Sequence, residues 1–174
     1  MTPDRHEPDV VELLERSIGQ VVERSVVVIE RGPATTFAEA IGDRNRLYRD
    51  PSLAAADGFD ALPTPPTFPF VMEHWGRFPE HQPRWKRPDT LSLLLERLLS
   101  DGGSLLHAGQ EFCYRRPVLV GDTLVGETTV ADARRAKVMG RVLTKLGLET
   151  VWTDRADGTV VVMSRSTLVH VDQL

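Results

Sequence analysis

The chain has 174 residues, 41% of them hydrophobic and 26% charged, with a formal net charge of -4. A chain of that length reads as one domain, residues 1–174, and buries roughly 70% of its unfolded surface, so it needs no disulfide or metal staple. The composition excludes disorder, and the acidic balance disfavours nucleic acid, whose phosphates require clustered Lys and Arg.

Val10, Leu13, Leu14 and Ile18 fall at helical spacing within residues 8–18, and Gly19 stops that helix. The valine-rich run from Val21 to Glu30 predicts a strand. Gly32-Pro33 opens a second helix with Phe37, Ala40 and Ile41 as its apolar stripe, ended by Gly42. Asp50-Pro51 reads as an N-cap for a short helix over 52–56, closed by Asp57-Gly58. After the proline-rich stretch LPTPPTFP, Thr67 is placed to cap a helix that tolerates Pro69 in its first turn. Phe68, Val71, Met72 and Trp75 would be its apolar face, up to Gly76. Residues 77–89 read as a loop. Leu91, Leu94, Leu95, Leu98 and Leu99 then share one face of a helix over 90–100, broken by Asp101-Gly102-Gly103.

From residue 104 the period changes to two. Strands are predicted over 105–116, 123–132, 141–154 and 159–171, with turns at Gly121-Asp122 and Asp157-Gly158. The last strand is apolar on both faces, which predicts an interior place in the sheet. One early strand, a block of helices and a run of antiparallel strands make an α+β fold.

The one cysteine, Cys113, has no partner for an internal disulfide and reads as a small buried strand residue. None of His6, His74, His81, His107 and His170 has zinc-type spacing. No metal or cofactor is expected. The charged N-terminus MTPDRHEPDV lacks the apolar core of a signal peptide, and no run is long enough to span a bilayer. The expectation is a cytoplasmic protein with neither membrane nor nucleic acid as partner.

The most informative stretch runs from Phe37 to Thr67. It contains Gly42-Asp43-Arg44-Asn45-Arg46-Leu47-Tyr48. This resembles the Gly-Asp-x-Asn-Pro-apolar-His signature of the MaoC-like dehydratases and hydratases, which have the hotdog fold. Leu106-His107-Ala108-Gly109-Gln110-Glu111-Phe112, then Arg116-Pro117-Val118 and Gly121-Asp122-Thr123, are similar to the FAS1-like dehydratase branch, as is the PPTFPF run at 65–70. The resemblance implies an antiparallel sheet wrapped around a central helix. It also implies an acyl-CoA or acyl-ACP thioester as ligand, and a homodimer or a heterodimer with a MaoC-like hotdog subunit.

In such enzymes a base removes the α proton of a 3-hydroxyacyl thioester, an acid protonates the departing hydroxyl, and backbone amides stabilise the enolate oxygen. The resemblance puts Asp43 in the acid–base role and Tyr48 where the catalytic His would stand. An ordinary phenol titrates near 10 and is a poor base at neutral pH. His107 is the candidate for a displaced base. Asn45, Pro66, Thr67 and Phe68 are the candidate substrate-binding residues, with Asp43 expected to face the first turn of the helix at Thr67 across an apolar slot. Each has a plain alternative: Asp43 and Asn45 as turn formers, Thr67 as an ordinary N-cap, His107 as a strand-end residue, His74 as packing or a dimer contact, the leucine helix as core rather than acyl tunnel. Four activities fit: an acyl-holding subunit that depends on a MaoC-like partner, a complete homodimeric hydratase, an acyl-CoA thioesterase, or a non-catalytic acyl-binding domain.

Overall fold

The structure is a computed structural model that describes residues 9–86, 89–100 and 102–172. The expected N-terminal features at residues 1–8, the loop residues 87–88 and Asp101 of the helix stop lie outside the described residues.

Helix α1 (Val10–Ser17) is capped by the Asp9 carboxylate, which accepts from the Val10 amide. Strand β1 (Val21–Val28) follows, then α2 (Arg31–Ala40), a 3₁₀ turn over Arg46–Tyr48 and α3 (Pro51–Ala56). Asp50 caps α3 as expected, accepting from the Ser52 and Leu53 amides. After a second 3₁₀ turn (Phe68–Phe70) come α4 (Met72–Gly76), a third 3₁₀ turn (Pro79–His81) and α5 (Asp89–Ser100). Strands β2 (Ser104–Tyr114), β3 (Thr123–Val138), β4 (Arg141–Asp154) and β5 (Val160–Val171) complete one five-stranded sheet, all pairs antiparallel, in the order β1-β3-β4-β5-β2. β5 is interior, as its two apolar faces require, and β1 and β2 are the edges.

The register puts Leu124, Gly126, Thr128 and Val130 of β3 on the same face as Leu146, Leu148, Thr150 and Trp152 of β4 and Val162, Ser164, Ser166 and Leu168 of β5. All the helices with buried residues in the two core clusters pack on this face. One core joins Ala34 and Phe37 of α2, Phe68 and Met72 to Val27, Leu124, Trp152 and Val162. The other joins Val10, Leu13 and Leu14 of α1 to Leu94 and Leu98 of α5 over Leu146. The leucine helix is therefore core. This is the hotdog arrangement, a sheet wrapped around a central helical segment.

That central segment differs from the expected single helix. Pro69 has no N–H, and the Phe70, Val71 and His74 amides bond three residues back, to Thr67, Phe68 and Val71. The result is a 3₁₀ turn followed by a short helix. Gly76, the last residue of that helix, lies too close to β1 for a side chain: a Cβ there would collide with the Val28 carbonyl. Thr67 makes no side-chain cap. Other expectations fail at element ends. Ile18, Ile41 and Leu99 are about half exposed, at 48%, 48% and 51%, and Ala40 is exposed too. Cys113 is exposed because β2 is an edge strand. β3 continues past residue 132 to Val138, where its pairing to β4 rather than burial sustains it.

Candidate functional site

The Gly42-Asp43 step closes α2. The Gly42 amide donates to Glu39 O and the Asp43 amide to Ala38 O, with Gly42 at φ +72°. The Asp43 carboxylate then accepts from the Asn45 amide at 2.9 Å, and the Asn45 side chain accepts from the Leu47 amide at 3.1 Å. Arg49 ties the loop down by donating to the carbonyls of Asp43 and Asn45. The turn-forming reading of Asp43 and Asn45 is therefore realised, and both side chains remain near Tyr48. Burial pushes the Tyr48 phenol above its ordinary value, the Asp43 charge pushes it further, and a hydrogen bond with Asn45 offsets part of this. So Asp43, Asn45 and Tyr48 form one cluster, half-exposed at the end of α2.

Pro66, Thr67, Phe68 and His107 form a second group. The Phe68 ring is buried, edge-on to Phe37 with centroids 5.6 Å apart and stacked on Trp75 at 6.3 Å. The Phe68 amide donates to Pro65 O. Of the Thr67 and Phe68 amides, only that of Thr67 is left without a partner among the described residues. The Tyr114 hydroxyl donates to Pro66 O at 2.6 Å, and burial raises the Tyr114 phenol well above its ordinary value. His107 lies against Phe70, with ring centroids 5.1 Å apart, and bonds to Gln110.

Among the described residues, no hydrogen bond, ion pair or ring contact joins the Asp43 cluster to the Pro66–His107 group. The two are linked only through packing, since Phe37 of α2 touches Phe68. A cavity of about 250 Å³ beside Pro66 is lined by Thr64, Tyr114, Arg115, Arg116, Pro117 and Val118, with no contribution from Asp43. The expected slot between Asp43 and the segment at Thr67 is therefore not part of that cavity.

Sequence reasoning passed over two features. Arg116 forks onto Asp122, at 2.7 and 3.2 Å, and reaches Asp154 at 2.7 Å. The bonds with Asp122, foremost, hold its guanidinium proton more firmly than usual. This fixes the loop that walls the cavity. The Arg-Pro and Gly-Asp motifs signalled it. The second is the pair of sheet edges. On β1 the Val26 amide donates to Gln82 Oε1, the Gln82 amide donates back to Val26 O at 2.9 Å, and Arg24 lies over the Trp85 ring. β2 has no such cover among the described residues, and Leu105, Leu106 and Phe70 are exposed beside it.

Among the described residues no group of three or more His, Cys, Asp or Glu side chains is placed to hold a metal ion, and no helix is long and apolar enough to cross a membrane.

Comparison with known proteins gives a family profile described as "FAS1-like, dehydratase domain region", matched over residues 16–163. A UPF0336 protein of Thermobifida fusca is 33% identical over 98 residues, 56% of this chain and 57% of its own length, so the match spans little more than half of that relative. The ChsH1–ChsH2 complex from Mycobacterium tuberculosis aligns at a TM-score of 0.72 and 19% identity, covering 92% of this chain and 90% of the other. The HadBC (3R-hydroxyacyl-ACP dehydratase) complex from the same organism aligns at 0.62 and 19%, covering 94% and 98%.

Proposed function

This chain belongs to the FAS1-like dehydratase family, and from that premise we propose that it is the acyl-holding subunit of a 3-hydroxyacyl-thioester dehydratase or 2-enoyl-thioester hydratase. Its acid–base pair comes from a MaoC-like hotdog partner. In this reading residues 1–174 form one domain that works in the cytosol on acyl-CoA or acyl-ACP thioesters.

One observation carries the reading. Where the family signature has histidine, this chain has Tyr48, and its surroundings raise the phenol further from neutrality. Dehydration needs a group that takes the α proton and one that returns a proton to the leaving hydroxyl near pH 7. A phenol held neutral by burial and by the adjacent Asp43 charge does neither efficiently. Asp43 is left as a turn-forming carboxylate bonded to the Asn45 amide.

The open edge of β2 supports the partner. An unpaired strand edge invites another chain, and proteins usually block it. Here β1 is blocked by Gln82, and among the described residues nothing blocks β2. A second sheet added at β2 would pair that open edge, beside the exposed Leu105 and Leu106. Two proteins that share the fold are named as complexes.

The test is hydration of a 2-enoyl-CoA by the purified chain, with and without a MaoC-like hotdog protein co-expressed with it. The expected result is turnover only with the partner, and a rate in the complex that changes less than tenfold on Asp43→Asn. Robust turnover by the chain alone, abolished by Asp43→Asn, would establish the complete homodimeric hydratase instead. Release of free thiol from acyl-CoA would mark a thioesterase.

A further inference from the structure

The proposed function leaves one polar group unused. His107 Nε2 lies 3.2 Å from Gln110 Oε1, and the Ser166 hydroxyl donates to the same oxygen at 2.7 Å. An amide oxygen carries no proton and accepts from both. The imidazole therefore has its proton on Nε2, and in the neutral ring Nδ1 keeps its lone pair.

The backbone is built for this contact. In a regular strand, residues three apart point to opposite faces. Here the register slips between His107 and Gly109, so that His107 pairs with Leu168 while Gln110 pairs with Ser166. The bulge at Ala108 brings His107 and Gln110 to one face, the face of Leu168 and Ser166 that also carries both cores. The Phe70 ring walls the imidazole on one side. Phe70 ends the segment that begins at Pro66, which the Tyr114 hydroxyl holds at its other end. His107 is thus exposed at the edge of the sheet, seven residues along β2 from Tyr114 of the cavity lining and joined to the cavity by the Pro66–Phe70 segment.

We propose that His107 contacts the substrate: its Nδ1 accepts a hydrogen bond from the 3-hydroxyl of a 3-hydroxyacyl thioester, and makes this subunit favour the hydroxyacyl over the saturated thioester. Gln110 and Ser166 are positioning residues that fix the tautomer. The inference rests on the thioester-holding reading above.

The test compares binding of 3-hydroxydecanoyl-CoA and decanoyl-CoA to the full chain by calorimetry, since the two ligands differ only in the hydroxyl. The wild type should bind the hydroxyacyl ligand about 3- to 10-fold tighter, the effect of one neutral hydrogen bond. His107→Phe keeps a ring against Phe70 but has no acceptor. It should erase that preference and leave the decanoyl-CoA affinity within about twofold. Gln110→Met should reduce the preference, and the ¹⁵N shifts of His107 should move from a single Nε2–H tautomer to a mixture. Equal affinity of the wild type for both ligands overturns the inference while leaving the thioester-holding reading intact. Equal weakening of both by His107→Phe also overturns it, and assigns the donor to a pantetheine amide. Binding of neither ligand sinks the thioester-holding reading, and this inference with it.

Discussion

Replacing Arg116 with Met removes the cation that ties three parts of the structure together. The guanidinium bridges Asp122 and Asp154 and also donates to Pro117 O at 2.9 Å. Asp122 is only 12% exposed and Asp154 21%, so both carboxylates would be left partly desolvated without a counter-charge. Removing one partner of a fully buried pair costs about 3–5 kcal/mol. Arg116 is itself 32% exposed, and Asp122 keeps its bond from the Leu119 amide and Asp154 its bond from the Ala156 amide. Discounted for that solvent access, the loss is about 2–3 kcal/mol. For a chain of this size it corresponds to a fall in Tm of about 4–12 °C. Arg116→Lys keeps the charge but loses the fork onto Asp122, and should fall between the two. Urea unfolding followed by circular dichroism measures the difference. An Arg116→Met protein within about 0.5 kcal/mol of wild type, the range of an ordinary surface substitution, would refute the argument that this cluster holds the cavity loop.

Two further outcomes follow from the packing and from the tyrosines. Gly126→Ala should destabilise the fold by about 1–3 kcal/mol, because its Cβ would lie 2.5 Å from Trp152 Cζ3 and 2.7 Å from Cη2, and Trp152 is buried in the core; chemical unfolding that shows no change would mean the indole has room to move. Both tyrosines, Tyr48 and Tyr114, have phenols raised above the ordinary value, so each neutral phenol stabilises the native state. That contribution is complete below about pH 10, the unfolded value, and is lost as pH rises through the higher native values. Near-ultraviolet titration should therefore show both tyrosines ionising at higher pH in the folded protein than in the unfolded chain; a folded midpoint at or below about pH 10 for either would contradict the burial argument.

The early family signature and the later Arg-Pro and Gly-Asp motifs were legible because they are local. A glycine at positive φ, an Asx turn and an Asp cap need only neighbouring residues, and Gly42, Asp43, Asn45 and Asp50 behave as their order in the chain dictates. The same locality explains the misplaced end residues. Periodicity assigns Ile18, Ile41 and Leu99 to an apolar stripe, but whether the last turn of a helix still touches the sheet depends on where the partner element stops. The β3 extension was hidden for a related reason. Residues 133–138 carry little apolar signal, and their pairing depends on β4 returning beside them through the turn at Met139-Gly140.

Taken alone, the order of residues determined the α+β class, the interior place of the last strand, the two leucine and valine stripes that became cores, and the substitution of Tyr48 for a histidine. These depend on side-chain chemistry and short-range spacing, which the chain carries with it. Only the tertiary structure decided that His107 and Gln110 share a face, because a bulge shifts the register there. It alone bonded Tyr114 to Pro66 O, and among the described residues it covered the β1 edge with Gln82 while leaving β2 uncovered. Those outcomes depend on which distant segments meet, and long-range pairing has no signature in the spacing of neighbours.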